Sequence, residues 1–517
     1  MTPTPRNATR RIASNTFWYG FESVFAIVMV FATSIPMARV LGPERLGYFQ
    51  YVAWLTNVGT LLAIGIPSVT TKYMAEYLNR GETGISRAIF ERTLSLQISA
   101  ALVITTLGEL IVFSAGDPAH RAVSMIQVLS MLPAMVIAIP SQANNAAEDM
   151  RSNVAGSIVS SSLYLVGVVA SLYFHWDLLG VAIAFTLSRA AEVLVRLPPV
   201  WRRVRTYPKA QIPSELQPAM RSFALQSMGL MLLNVVVWDR SDVVLLKFLS
   251  RNVSQITYFT LTFNIVEKVV LLPQVFGHAL GNTMLAEYGR DKSRVGQLAS
   301  SAAKYLYLFA APMLFGVALL SSPLMRVLYG QKYLPAIPVL AVAAGLALFK
   351  PLLLPVQYFL RSHSRQVPLL VWNSACGVLN VGVDWALIPG IGALGAGIGN
   401  GVAQAASVIG IWVYSIVRYG IRLDFGALAK ITLALSAMAP PILLLNSWLP
   451  PLAALVAGVP AGAIVYLGLL RRLGLLQRED CDRLSHVAAS VPKVFRPAFQ
   501  RIIGFMVPAV PAPVGNR

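Results

Sequence analysis

Apolar stretches about twenty residues long recur from residue 14 to residue 470, and charge gathers mostly in the gaps between them. Crossing ~30 Å of hydrocarbon takes about 20 mostly apolar residues. Lipid offers no partners for backbone N–H and C=O groups, so each such stretch must be a helix. The chain holds about fourteen of them, which makes it an all-α polytopic membrane protein. Only 12% of its residues are charged and 56% are hydrophobic, against about 25% charged in soluble domains, which excludes a large soluble domain. The net charge of +20 could suggest nucleic acid, but the Lys and Arg sit beside the ends of apolar runs, as membrane topology requires. Cys376 and Cys481 fit neither a disulfide framework nor a zinc spacing. The basic start MTPTPRNATRR leads into an apolar run without a small-residue cleavage site, so it reads as an uncleaved first span.

The expected spans are 14–38, 46–66, 89–113, 121–141, 153–174 and 178–199; then 219–247, 254–277, 297–320, 335–360, 366–388 and 392–417; and a last pair, 426–446 and 448–470, turned at Pro450 and Pro451. A basic linker with Arg202, Arg203, Arg205 and Lys209 separates the first six from the next six. This predicts an N-lobe over 1–200, a linker over 201–218, a C-lobe over 219–418, spans thirteen and fourteen over 419–470, and a basic tail over 471–517. Two six-helix lobes around a central cavity, plus a C-terminal helix pair, suit a transporter working by alternating access. With the N-terminus inside, twenty Lys and Arg before the tail fall on the inner side and seven on the outer. That asymmetry puts both termini in the cytoplasm. The tail stretch KVFRPAFQRIIGFMV reads as either a surface amphipathic helix or a solvated tail.

Four segments carry a resemblance. Residues 39–82 open R-x-L-G-P-x-x-x-G-x-F with Arg39, Leu41, Gly42, Pro43, Gly47 and Phe49, then give Gly65, Ile66 and Lys72. WDRSDVVLLKFLS, 238–250, places Asp239 and Asp242 late in the seventh span, with Tyr258 opening the eighth. VLYGQKYLPAIPVL, 327–340, and LIPGIGALGAGIGNGVAQ, 387–404, follow. In this order, over about residues 12–470, the chain resembles the polysaccharide-biosynthesis flippases of the multidrug/oligosaccharidyl-lipid/polysaccharide (MOP) exporter superfamily. The family pattern has Gly-Tyr where this chain has Thr257-Tyr258. The resemblance implies a non-enzymatic flippase of a bacterial or archaeal inner membrane. It would move a lipid-linked oligosaccharide, usually on undecaprenyl diphosphate, to the outer leaflet.

Charged groups within spans are costly and face a bundle interior or a wet cavity. Asp239, Arg240 and Asp242 form the densest cluster; an Arg fork suits a diphosphate or sugar carboxylate, and flanking Asp groups would hold it or bind a cation. Asn264, Glu267 and Lys268 lie within the eighth span. Arg189, Glu192 and Arg196 form a stripe down the sixth, able to draw in an anionic headgroup or simply to snorkel. Arg39 and Lys72 stand at opposite faces as gate candidates, and Arg221 and Lys304 begin spans seven and nine. The chain has no G-x-x-x-x-G-K-[ST] loop for ATP. No cofactor is expected, and energy would come from an ion gradient, the membrane potential or consumption of the flipped substrate. The expected partners are an anionic lipid-linked saccharide, membrane lipids and glycan-assembly proteins, with the chain itself a monomer. The alternative is a cation-coupled multidrug exporter of the same superfamily, in which Asp239, Asp242 or Glu267 would titrate. A membrane-embedded polymerase or ligase would need a large outer loop, and every outer loop here is short.

Overall fold

The computed structural model describes residues 5–238, 241–250, 252–288, 291–363, 366–476 and 504. Among them every regular element is a helix. In chain order these are α1 (Pro5–Leu61), α2 (Gly65–Val69), a π-helical turn (Thr70–Met74), α3 (Ala75–Asn79), α4 (Thr83–Ala115), α5 (Arg121–Leu129), α6 (Met131–Ala146), α7 (Met150–Tyr173), α8 (Asp177–Arg205), α9 (Leu216–Trp238) and α10 (Asp242–Leu249). They continue as α11 (Ser254–Tyr288), α12 (Lys292–Leu319), α13 (Ser321–Leu328), α14 (Ala336–Leu346), a 3-10 turn (Ala347–Leu352), α15 (Leu353–Ser362), α16 (Gln366–Ile391), α17 (Ala393–Tyr419), α18 (Phe425–Trp448) and α19 (Pro451–Arg472).

Eleven helices among the described residues are long and apolar enough to cross a membrane, fewer than the fourteen spans expected. The first of them, Gly20–Leu61, runs through two expected spans. It is broken at Gly42, whose φ of 79° and ψ of 171° are not helical. α9 and α11, which overlap the expected seventh and eighth spans, are not among the eleven. On α4, Leu102, Val103, Leu107, Leu110 and Ile111 are all more than half exposed. A face of that kind is stable against lipid tails and would not be in water.

The chain forms two compact units, Met1–Thr257 and Tyr258–Arg517. α9 and α10, which the sequence assigns to the start of the second lobe, therefore group with the first unit. Its core gathers Met74, Phe90, Leu94, Met135, Ile139, Val200 and Val204 from the elements between α2 and α8. The basic linker is shorter than expected, because α8 runs on to Arg205 and α9 begins at Leu216. It is also held down: Arg87 on α4 donates to the carbonyls of Arg205 and Tyr207 at 3.2 and 2.9 Å. In the second unit, α18 and α19 form the expected hairpin at Pro450, and Tyr466 donates to the Leu308 carbonyl of α12 at 2.8 Å. Of the basic tail, α19 takes in Arg471 and Arg472, and residues 477–517 lie outside the described residues apart from Gly504.

Candidate functional site

The turn after the first half of α1 shows why its glycines are needed. Gly42 takes a left-handed φ, which only glycine adopts without strain. Gly47 lies so close to the Val253 carbonyl that a Cβ would collide with it. Thr257 donates to the Pro43 carbonyl at 2.6 Å. Arg39 is exposed just before this turn. At the same end of the unit, the Tyr48 ring stacks on His120 with centroids 4.3 Å apart, and its hydroxyl meets Ser124 at 2.7 Å. His120 Nδ1 is 2.8 Å from Asp117 in the connecting loop. This hydrogen bond, aided by the Ala119 N–H, holds the Asp117 carboxyl below its ordinary range. Lys247 lies over the Tyr51 ring at 5.6 Å.

Lys72 stands at the other end of that span, in the middle of the π-helical turn. Such turns carry i→i+5 bonds and recur at functional sites. Lys72 is exposed, with its Nζ 4.8 Å from the Tyr73 centroid and 4.3 Å from that of Phe223 on α9. No ion pair holds it among the described residues. Gly65 lets α2 approach α9 so closely that a Cβ would strike the Ala224 carbonyl. Arg221 is exposed one turn away on α9. Beside the π-turn, Thr71 donates to Gln142 at 2.6 Å, and a run of amides, Asn145, Asn153 and Asn144, leads on to Arg203. Arg203 also pairs with Asp149 at 3.2 Å. Asn144 and Asn145 are thus links in a structural chain.

The stripe on α8 is an ion-pair network. Glu192 is buried between Arg189 at 3.2 Å and Arg196 at 2.6 Å. Arg196 also donates to Ser141 at 2.5 Å and Ser157 at 2.7 Å, and Ser157 donates to Glu22 on α1 at 2.5 Å. The network borders a cavity of about 170 Å³ inside the first unit, lined by Glu22, Ser157, Ser160, Tyr164, Arg189 and Glu192 among others. Arg189 remains partly exposed at its rim, and Arg196 is fixed within the protein.

Asp239 and Arg240 lie outside the described residues. Asp242 is fully buried at the first position of α10. In the second unit, Asn264, Glu267 and Lys268 are half-buried on α11, and Lys268 has no ion-pair partner among the described residues. Lys304 lies 5.8 Å from the Tyr305 ring on α12. Two features were missed in the sequence. Lys350 sits in the 3-10 turn that interrupts α14 and α15, 6.0 Å from the Phe263 ring of α11. Asn380 and Asp384 on α16 and Asn400 on α17 are buried together, with Gly399 leaving room for the Asp384 carboxylate.

Comparisons with known proteins place this geometry. The succinoglycan biosynthesis transport protein ExoT of Rhizobium meliloti (strain 1021) is 25% identical over 410 residues, covering 77% of this chain and 75% of that protein. The fold matches a lipid II flippase MurJ in an inward closed conformation, with a TM-score of 0.70 at 15% identity over 87% of this chain and 97% of that one. It also matches an inward-facing multidrug resistance MATE transporter of the MOP superfamily, with a TM-score of 0.63 at 15% identity over 75% and 93%. The sequence profile of the family described as polysaccharide biosynthesis protein matches residues 12–281, a span that takes in the Gly42 turn, Lys72, the α8 network and the start of α11. The chain belongs to the polysaccharide biosynthesis protein family.

Proposed function

We propose that this protein is a flippase that carries a lipid-linked oligosaccharide, with a polyprenyl-diphosphate headgroup, from the cytoplasmic to the outer leaflet of a bacterial inner membrane. It does so by alternating access and without chemistry on the substrate. The observation that carries the reading is Lys72: an exposed ammonium, unpaired with any carboxylate among the described residues, set on two aromatic rings in the irregular turn Thr70–Met74. A lysine with no carboxylate partner among the described residues is suited to meeting a mobile anion. Lys268, half-buried within the second unit, offers a further base. The names of two relatives, a succinoglycan transport protein and a lipid II flippase, agree with a glycan on a lipid carrier. Cation-coupled drug export is less well supported, because the carboxylates Glu22 and Glu192 share their cavity with Arg189, and Glu192 is paired to Arg196 as well. Transport draws on an ion gradient, the membrane potential or consumption of the flipped substrate.

The test is leaflet-resolved transport of a fluorescent undecaprenyl-diphosphate oligosaccharide in proteoliposomes. Lys72→Gln and Lys268→Gln are expected to insert normally and to lose about tenfold or more in rate, the loss of one charge-assisted contact. Wild-type protein that moves no such lipid, or variants that move it at the wild-type rate, would overturn the assignment.

A further inference from the structure

Four polar residues of α7, Ser157, Ser160, Ser161 and Tyr164, fall at i, i+3, i+4 and i+7 and share one face of the helix. All four line the cavity of about 170 Å³ between α1, α7 and α8. Two of them have partners within the protein. Ser157 donates to Glu22 and accepts from Arg196, and Tyr164 donates to the Met37 sulfur at 3.5 Å, leaving its oxygen able to accept. Ser160 and Ser161 differ: neither makes a hydrogen bond among the described residues, and Ser160 is only 6% exposed. Farther along the same helix, Ser171 donates to the Gly167 carbonyl at 2.6 Å, the usual resort of a helical serine. A buried hydroxyl left unpaired is destabilising, so Ser160 and Ser161 are turned to what fills the cavity. Glu22 gives one carboxylate oxygen to Ser157, and the other meets no donor among the described residues.

Charge and size narrow the occupant. Glu192 is flanked by Arg189 and Arg196, which leaves it little attraction for a cation, and Glu22 stands against an anion. What remains is two hydroxyls, a carboxylate oxygen and the other N–H groups of Arg189 at the rim, a mixture of donors and acceptors suited to an uncharged polyol. A cavity of about 150 Å³ holds a benzene molecule, so this one has room for a six-membered ring. Phe25 and Phe185 supply apolar wall for the C–H side of such a ring. Polar cavities of this size take up water, and sugar hydroxyls reproduce the hydrogen bonds of the water they displace. Position agrees. In the spans 14–38, 153–174 and 178–199, Glu22, Ser160, Ser161 and Glu192 all fall in the half that the Lys and Arg bias turns to the cytoplasm.

We infer that this cavity is a pyranose-binding pocket, in which Ser160, Ser161 and Glu22 bond the hydroxyls of one sugar of the lipid-linked substrate as it is taken up from the inner leaflet. The inference rests on the proposed function and adds recognition of the sugar to it. It is tested by binding to the full chain in lipid nanodiscs. The probes are undecaprenyl diphosphate bearing one glucose, galactose or N-acetylglucosamine, and sugar-free undecaprenyl diphosphate. Wild type should bind at least one glycosylated probe more tightly than the sugar-free lipid. Ser160→Ala with Ser161→Ala, which removes two hydroxyls and adds no bulk, should weaken that probe on the order of tenfold, the loss of two neutral hydrogen bonds, and leave sugar-free binding unchanged. Ser161→Leu, which fills the cavity, should abolish the preference, and Ser161→Thr, which keeps the hydroxyl, should retain much of it. Equal wild-type binding of all four probes would overturn the pocket and leave the flippase reading standing. So would a double alanine variant that keeps the full preference or weakens every probe alike. A wild type that binds no probe would remove both.

Discussion

At the scale of single residues, the bases of this chain divide by what surrounds them. Arg196 touches a carboxylate and two serines, all inside the first unit, and is nearly inaccessible. Among the described residues Lys72 lies over the Tyr73 and Phe223 rings without an ion pair, and it is exposed. The first arrangement binds helices together; the second leaves a charge available. Removing Arg196 alone leaves Glu192, a carboxylate 5% exposed, with only the longer contact to the partly exposed Arg189. Breaking a buried pair on one side costs about 3–5 kcal/mol, while replacing both members with apolar residues is often close to neutral. Arg196→Leu is thus expected to lower the Tm of the purified protein sharply, and Arg196→Leu combined with Glu192→Leu to recover most of the loss. Equal Tm values for the two variants would show that the ion pair is not what holds α8 in place. The sequence placed Arg189, Glu192 and Arg196 on one face of a helix. It could not reveal that Ser141 and Ser157, 55 and 39 residues away, complete the network, because such partners are chosen by packing.

At the scale of elements, the second half of α1 and α2 are placed by two glycines. Gly47 meets the Val253 carbonyl and Gly65 meets the Ala224 carbonyl, so the backbones touch where side chains would keep them apart. Gly65→Ala should force α2 from α9 at a cost of roughly 1–3 kcal/mol, typical of overpacking. The expected readout is a lower Tm with faster proteolysis in the 206–215 connection; an unchanged Tm would mean that the contact yields freely. The motif around residues 39–66 was legible for this reason: its glycines answer to steric demands that any chain making this turn must meet. The break in the tenth span was legible too, since Lys350 precedes Pro351 and a residue before proline is turned from the α region. Reading 335–360 as one span concealed it. Asp384, a carboxylate within the apolar run VLNVGVDWALIP, was equally visible. The π-turn at Thr70–Met74 was not, because no residue pattern specifies an i→i+5 bond.

At the scale of the whole molecule, the alternation of apolar runs with basic gaps gave the class of fold, and the family follows from motif order. What the alternation did not give was the grouping of helices, with α9 and α10 belonging to the first unit. Grouping depends on tertiary contacts such as Lys72 on Phe223, which leave little trace in composition. The bias of Lys and Arg also makes an orientation prediction. In a background with Cys376 and Cys481 replaced by alanine, Ala210→Cys should react with an impermeant maleimide only from the cytoplasmic side. His175→Cys, in the connection between α7 and α8, should react only from the outside. The reverse pattern would turn the molecule over in the membrane and reverse the proposed direction of transport.

The π-turn also has a mechanical consequence. It accommodates one residue more than an α-helical turn, so relaxing it would swing everything downstream by about 100° around the axis, since one residue is 1/3.6 of a revolution. Lys72 sits on that pivot. Such a swing would carry side chains from one face of the helix to another with no large displacement of the helix itself.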